Sequence, residues 1–264
     1  MALDKMFTQH ALVGDHNVFF YSSAKEKYEV LFSNLKAGLE RGCSALYITS
    51  GEANTHVQVE MENFGLKLDN PLKLRIAASY DFYTPDGEFH ADRVTGQFRS
   101  LIDESVDKGF EGLYVSSDAT NTFDYLAKKD ATDVWFDYEN ALGRTFKLPM
   151  EAICAYSTDQ IKSNDKVLLQ LIQAHKNTIT AGNPNFVNNE KICVDAVAGE
   201  CKNILGEEAT EFIFDLIEKR FKIRRNQIPN RIVEFNKALE SILSTGAKPL
   251  EIMIIRNLRK KIEL

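Results

Sequence analysis

Asn17-Val18-Phe19-Phe20-Tyr21, followed at once by Ser22-Ser23-Ala24-Lys25-Glu26-Lys27, is the stretch on which the fold of this 264-residue chain turns. The aromatic and β-branched run predicts a strand. Tyr28, Leu31, Phe32, Leu35 and Leu39 then recur at spacings of three and four, which predicts a helix, and Gly42 ends it as a helix C-terminus prefers. In nucleotide hydrolases a strand-to-helix turn of this kind is the glycine-rich phosphate loop. Here it holds no glycine. Gly-Lys occurs nowhere in the chain, and neither does Gly-x-Gly, so the Gly-x-x-x-x-Gly-Lys-Ser/Thr loop and the dinucleotide fingerprint are both absent. The amides of residues 22–27 are left to face, at most, a small anion at the helix N-terminus.

Outward from this turn, strand-like and helix-period runs alternate, the signature of an α/β domain with a mainly parallel sheet. Further strands are expected at Ala45-Leu46-Tyr47-Ile48-Thr49, at residues 72–78, at Gly112-Leu113-Tyr114-Val115-Ser116, at residues 150–156 and at Thr178-Ile179-Thr180. Helices are expected around residues 57–64, 92–108, 123–128, 133–144 and 165–175. Asn183-Pro184-Asn185 breaks the pattern, and a linker is expected to follow. Beyond it the chain reads as all helix, with apolar stripes at Ala209 to Phe221, at Ile232 to Ile242 and, after Pro249, at Leu250 to Ile262. The expected organisation is an α/β domain over residues 1–185 and a small all-α domain over 193–264.

Composition narrows the function classes. The chain is 44% hydrophobic and 27% charged, as an ordinary globular protein is. Its apolar runs are too short to span a bilayer and Met1-Ala2-Leu3-Asp4-Lys5 lacks a signal-peptide core, so a cytoplasmic location with no membrane contact is expected. Cys43, Cys154, Cys193 and Cys201 form no Cys-x-x-Cys pair and no zinc spacing with a nearby histidine. They read as reduced thiols, and no metal or cofactor is expected. From Asp195 onward the chain has 13 Lys/Arg against 11 Asp/Glu, a net of +2, and the remainder has 19 against 27, a net of −8. DNA binding is therefore unlike the first part and open for the last, through Lys219, Arg220, Lys222, Arg224 and Arg225 or Arg256, Arg259, Lys260 and Lys261. Cations at helix C-termini give those clusters an ordinary explanation as solvated helix ends.

No catalytic motif is found: there is no Gly-x-Ser-x-Gly elbow and no His-Glu-x-x-His helix. In open α/β sheets ligands bind beyond the carboxyl ends of the strands, where this chain places Tyr21-Ser22-Ser23, Thr49-Ser50-Gly51, Ser79-Tyr80-Asp81, Ser117-Asp118 and Tyr156-Ser157. Small polar groups among aromatics suit a small, weakly polar ligand. Tyr80 to His90, with Tyr83 and the turn Pro85-Asp86-Gly87, reads either as a loop pinned by its aromatics or as a lid. His16 reads as a structural hydrogen-bonder or as a ligand-sensing or metal-binding group. Asp118 reads as a cap or a polar ligand contact, and Cys154 as buried packing within its strand.

Taken together, His16-Asn17-Val18-Phe19-Phe20-Tyr21, Gly38-Leu39-Glu40-Arg41-Gly42, Asp86-Gly87-Glu88-Phe89, the strand before Asp118, Glu139 and Cys154-Ala155-Tyr156 resemble the MEDS family of sensory domains over roughly residues 8–182. The resemblance implies a RecA-like sheet without its phosphate loop and a role in sensing simple hydrocarbon derivatives. It makes His16, Tyr21, Cys154 and Tyr156 ligand-site candidates, beside Ser50, Tyr83 and Asp118 from their positions. Asp118 stands where the family pattern leads one to expect glutamate. The last part of the chain more faintly resembles small helical output domains of archaeal sensors. The function expected is a non-enzymatic signal sensor that binds a small organic molecule and relays it through its helices to a protein partner or a second copy. A DNA-binding regulator and a degenerate RecA-like nucleotide binder are the alternatives.

Overall fold

The computed structural model describes residues 7, 14–142, 148–162, 164–180 and 185–264. The decisive stretch forms β1 (His16–Tyr21) and α1 (Ala24–Glu40). There follow β2 (Ser44–Thr49), α2 (Asn54–Phe64), β3 (Leu74–Ala78), α3 (Ser79–Tyr83), α4 (Ala91–Asp107) and β4 (Leu113–Asp118). Next come α5 (Thr120–Lys128), α6 (Thr132–Leu142), β5 (Met150–Ser157), α7 (Thr158–Ile161), α8 (Asp165–Ala174), β6 (Asn177–Thr180) and β7 (Asn185–Asn188). The sheet has seven strands in the order β3-β2-β4-β5-β1-β6-β7, all parallel except β7, which runs antiparallel to β6. The fold is thus α/β with a mostly parallel sheet flanked by helices and a helical C-terminal region.

Burial on both faces explains why the central strands read as nearly continuous apolar runs. Phe19, Tyr47, Tyr114, Ile153 and Ala155 point to one face and pack with Leu31, Phe32 and Leu35 of α1. Val18, Phe20, Ile48, Val115, Cys154 and Tyr156 point to the other, where α4, α5, α6 and α8 cover them. Gly38 permits the first packing. A Cβ there would lie 2.3 Å from Cγ of Tyr114, a buried ring on β4 that has nowhere to go. Gly38→Ala is expected to cost about 3 kcal/mol, the upper end for overpacking, read as a lowered urea midpoint at unchanged m-value.

One expectation is corrected, and the segment after β3 takes the first of its two readings. Residues 185–188 are not a linker: they form β7, and α9 (Asn189–Leu205) begins directly after it. The loop after β3 opens as a helical turn, α3, with Phe82 and Tyr83 buried and Tyr80 outward. Phe89 rests on Trp135 and Tyr138, so aromatics pin this segment to α6.

The helical region comprises α9, α10 (Glu207–Phe221), a 3-10 turn (Arg225–Arg231), α11 (Ile232–Leu243) and α12 (Ala247–Lys261). Pro249 falls in the first turn of α12, where a missing N–H costs nothing. α9 packs on α10 and α12, and α11 packs on α8. Cys193, Ile213, Phe235, Leu239, Ile254 and Leu258 belong to the same continuous core as the covered face of the sheet. No helix among the described residues is long and apolar enough to cross a membrane.

Candidate functional site

Four polar side chains converge inside that shared core. His16 opens β1, Cys154 lies on β5, Glu139 projects from α6, and His175 follows the last turn of α8. The register places His16 opposite Ala152 and Val18 opposite Cys154, so both polar residues face the α6–α8 side, two positions apart along the sheet. His16 Nε2 lies 3.3 Å from Cys154 Sγ and 3.3 Å from Glu139 Oε2, and His175 Nε2 lies 3.4 Å from the same carboxylate oxygen. The two imidazole rings are 4.1 Å apart between centroids. One donor atom from each of the four residues can be chosen so that all lie within 4.8 Å of one another.

Partners around the cluster orient it. His175 Nδ1 lies 2.8 Å from the carbonyl oxygen of Leu171, and donation there turns Nε2 toward Glu139. Tyr156 donates its hydroxyl to Glu139 Oε1 at 3.0 Å and accepts from Trp135 Nε1 at 3.0 Å. Tyr83, packed on Trp135, shares a hydrogen bond with Ser117. Glu139 Oε2 and His16 Nδ1 make no hydrogen bond. Burial governs the charges: it pushes the Glu139 carboxyl up to about 8 against its hydrogen bonds, and pushes the Cys154 thiol well above its ordinary value. Burial, then His175, holds His16 well below the usual imidazole value. At neutral pH the thiol, the Glu139 carboxyl and the His16 ring are all uncharged.

A second polar group closes the carboxyl ends of the strands. Lys27, from the first turn of α1, reaches Asp118 Oδ2 at 2.9 Å and pairs also with Glu52. Burial lowers the Lys27 pKa, but Asp118 and Glu52 outweigh it and hold the ammonium above the ordinary lysine range. Tyr21 donates to Asp118 Oδ2 at 3.1 Å, and the Thr120 amide donates to Oδ1 at 3.1 Å. Ser50 Oγ accepts the amide of Asn121. Three of the amides left open for a small anion are also engaged: Ser22 N donates to Glu26 Oε2 at 2.6 Å, Glu26 N to Ser23 Oγ at 3.2 Å and Lys27 N to the Ser23 carbonyl at 3.0 Å. The crevice in which a phosphate would sit is filled by the chain's own charges.

A family model described as the methanogen/methylotroph, DcmR sensory domain (MEDS) matches residues 15–176. The chain belongs to the MEDS family. No curated protein matches it. The MEDS match spans the whole of the buried cluster, from His16 to His175, and leaves β6, β7 and helices α9 to α12 outside. Membership of a sensory-domain family supports a role in signalling.

Of the residues expected at a MEDS ligand site, the structure brings His16, Cys154 and Tyr156 together, with Tyr83 next to them through Trp135. It sets Tyr21, Ser50 and Asp118 apart, at the strand ends. Glu139 is part of the family pattern but carries no expected role, and His175, Trp135, Lys27 and Glu52 are given no site role by the sequence. Positions 16, 139, 154 and 175 lie on four separate elements, so no short spacing links them. The usable signal is weak: His16 and His175 each flank a strand of the same parallel sheet, β1 and β6, and those strands are neighbours.

Proposed function

We propose that this chain is a signalling sensor whose input is received at the His16–Glu139–Cys154–His175 cluster and whose output is carried by the helical region. One observation carries the reading: His175 belongs to both parts. Its ring faces His16 and Glu139, while its carbonyl oxygen accepts Nδ2 of Asn189, the first residue of α9, at 3.0 Å. Asn189 is buried and also accepts from the Thr178 hydroxyl at 2.8 Å and donates to the Ile172 carbonyl. A displacement of His175 must therefore move or break the anchor of α9, which packs on α10 and α12. The input is a small organic molecule, such as a hydrocarbon derivative, and the aromatic wall of Trp135, Tyr83 and Tyr156 suits a weakly polar guest. Action is by binding rather than turnover, which the closed strand-end crevice supports.

Output is to a protein surface. Phe212 on α10 is 67% exposed and Ile252 on α12 is 46% exposed, so both offer apolar contacts to a partner chain or a second copy. Ion pairing of Arg224 with Glu218, Arg225 with Glu211 and Arg259 with Asp165 weighs against a free basic face for DNA.

Hydrogen exchange of the full chain, with and without dichloromethane, methanol or methylamine, tests the reading. A compound that binds by calorimetry should change protection at residues 150–156 and in α9 together. Binding without any change beyond residue 188 would sink the relay. Asn189→Ala, which orphans two carbonyls and a hydroxyl, should lower stability by about 2 kcal/mol and abolish the change in α9 while binding persists.

A further inference from the structure

We infer that His16, Glu139, Cys154 and His175 bind one divalent transition-metal ion of the zinc class, as the resident group of the site. The inference rests on the sensor reading only for its use, since the ion would tie β1, α6, β5 and the turn after α8 into one unit. Its basis is geometric. Zinc bonds of about 2.0–2.1 Å to nitrogen and 2.0–2.2 Å to oxygen, in a tetrahedron, set donor–donor edges of about 3.3–3.5 Å. The imidazole-to-carboxylate edges here are 3.3 and 3.4 Å, from different histidines to the same oxygen. The edge from His16 to the sulfur is 3.3 Å, on the short side of the slightly longer nitrogen–sulfur edge.

Hydrogen bonds from Tyr156 and the Cys154 thiol reach Glu139 but leave its imidazole contacts unexplained. Glu139 Oε2 has two imidazole nitrogens within reach, yet neither hydrogen-bonds to it, although the residue is wholly buried. Such an oxygen is costly unless something else satisfies it. An ion at the centre of the four donors does so. The outer contacts are those a metal site requires: Leu171 takes the far N–H of His175, and Tyr156 holds the second oxygen of Glu139. Charge closes as well. A dication bound by one thiolate and one carboxylate is neutral overall, the thiol and carboxyl protons having left to solvent, and a neutral complex suits a site with no exposure. Two nitrogens, one sulfur and one oxygen exclude the hard cations calcium and magnesium, which take oxygen ligands.

The test uses the full chain, stripped by chelator and titrated with Co(II) or Zn(II), with no organic compound present. One equivalent of cobalt should bind and give the intense visible bands of a tetrahedral ion together with a near-ultraviolet thiolate-to-cobalt band. Cys154→Ser should lose the thiolate band and keep its far-ultraviolet circular dichroism, and His175→Gln should weaken binding more than about tenfold. Should either variant misfold, X-ray absorption of the zinc-loaded wild type decides by its ligand shell of one sulfur and three nitrogen or oxygen atoms. A folded chain that takes up no ion, or a cobalt spectrum indifferent to Cys154→Ser, overturns the assignment. If that chain still changes protection in α9 with a small organic ligand, the metal falls and the sensor stands. A bound ion upholds the metal site whatever α9 does.

Discussion

Lys27→Met is expected to destabilise the chain by about 3–5 kcal/mol at pH 7, the cost of removing one partner from a buried ion pair. Methionine matches the lysine stem in length and apolar character, so the loss isolates the charge. Lys27 is 5% exposed and Asp118 is 0% exposed, whereas Glu52 keeps more contact with solvent and can turn outward. The burden therefore falls on Asp118, which retains the Tyr21 hydroxyl and the Thr120 amide but loses its only cation among the described contacts. Lys27→Met combined with Asp118→Asn should recover most of the deficit, because a neutral amide can keep accepting from Tyr21 and Thr120 without an unpaired charge. Urea unfolding of the two single variants and the double variant measures the coupling. A loss below about 1 kcal/mol in Lys27→Met would mean that the pair behaves as a surface ion pair and that water reaches the crevice.

The same lysine marks the limit of what the sequence made legible. The absence of a glycine loop after β1 was readable, and it leads to a strand-to-helix turn that cannot wrap a polyphosphate. What occupies the place of the phosphate was not readable, because Lys27, Glu52 and Asp118 come from three elements joined only by the parallel order β2-β4-β5-β1. The strands themselves were legible because both faces of the sheet are buried and each central strand is a short apolar run. β7 was missed since Asn185-Phe186-Val187-Asn188 follows Asn183-Pro184, and a half-exposed edge strand of four residues has little pattern to offer. α9 was missed for another reason: its buried side is Ile192, Cys193, Ala196, Val197, Glu200 and Cys201, in which small and polar residues dilute the apolar stripe. His16 and Cys154 could be suspected individually. Their meeting with Glu139 and His175 depends on β1 lying between β5 and β6, a fact of strand order that no local spacing encodes.

Between pH 6.5 and about 8, the metal-free chain should become less stable as pH rises, by up to about 1.4 kcal/mol per pH unit for each of two buried glutamates. Glu139 and Glu151 are both wholly buried, and burial pushes each carboxyl up to about 8. In the unfolded chain both ionise near the ordinary carboxyl value of 4.5, so across this window the folded state binds more protons than the unfolded one, and the slope is negative. Their stabilisation is complete below the unfolded value and is lost as pH climbs through the folded one. His16 acts in the opposite sense below and around its unfolded value of 6.5, where the unfolded imidazole takes up a proton that the buried ring refuses, and this contribution fades within about one pH unit above it. The upper end of the window is therefore the clean one. Glu151→Gln should remove one proton's worth of slope. Glu151 accepts from Asn17 Nδ2 at 2.9 Å and from Asn34 Nδ2 at 2.8 Å, and a glutamine can keep one of these contacts. Its own amide finds an acceptor if Asn34, whose Oδ1 makes no hydrogen bond, turns over. Urea midpoints at closely spaced pH values, in the presence of chelator, give the slopes directly. A wild-type slope that Glu151→Gln leaves unchanged would mean that the two asparagine amides outweigh burial and that Glu151 enters the folded core already ionised.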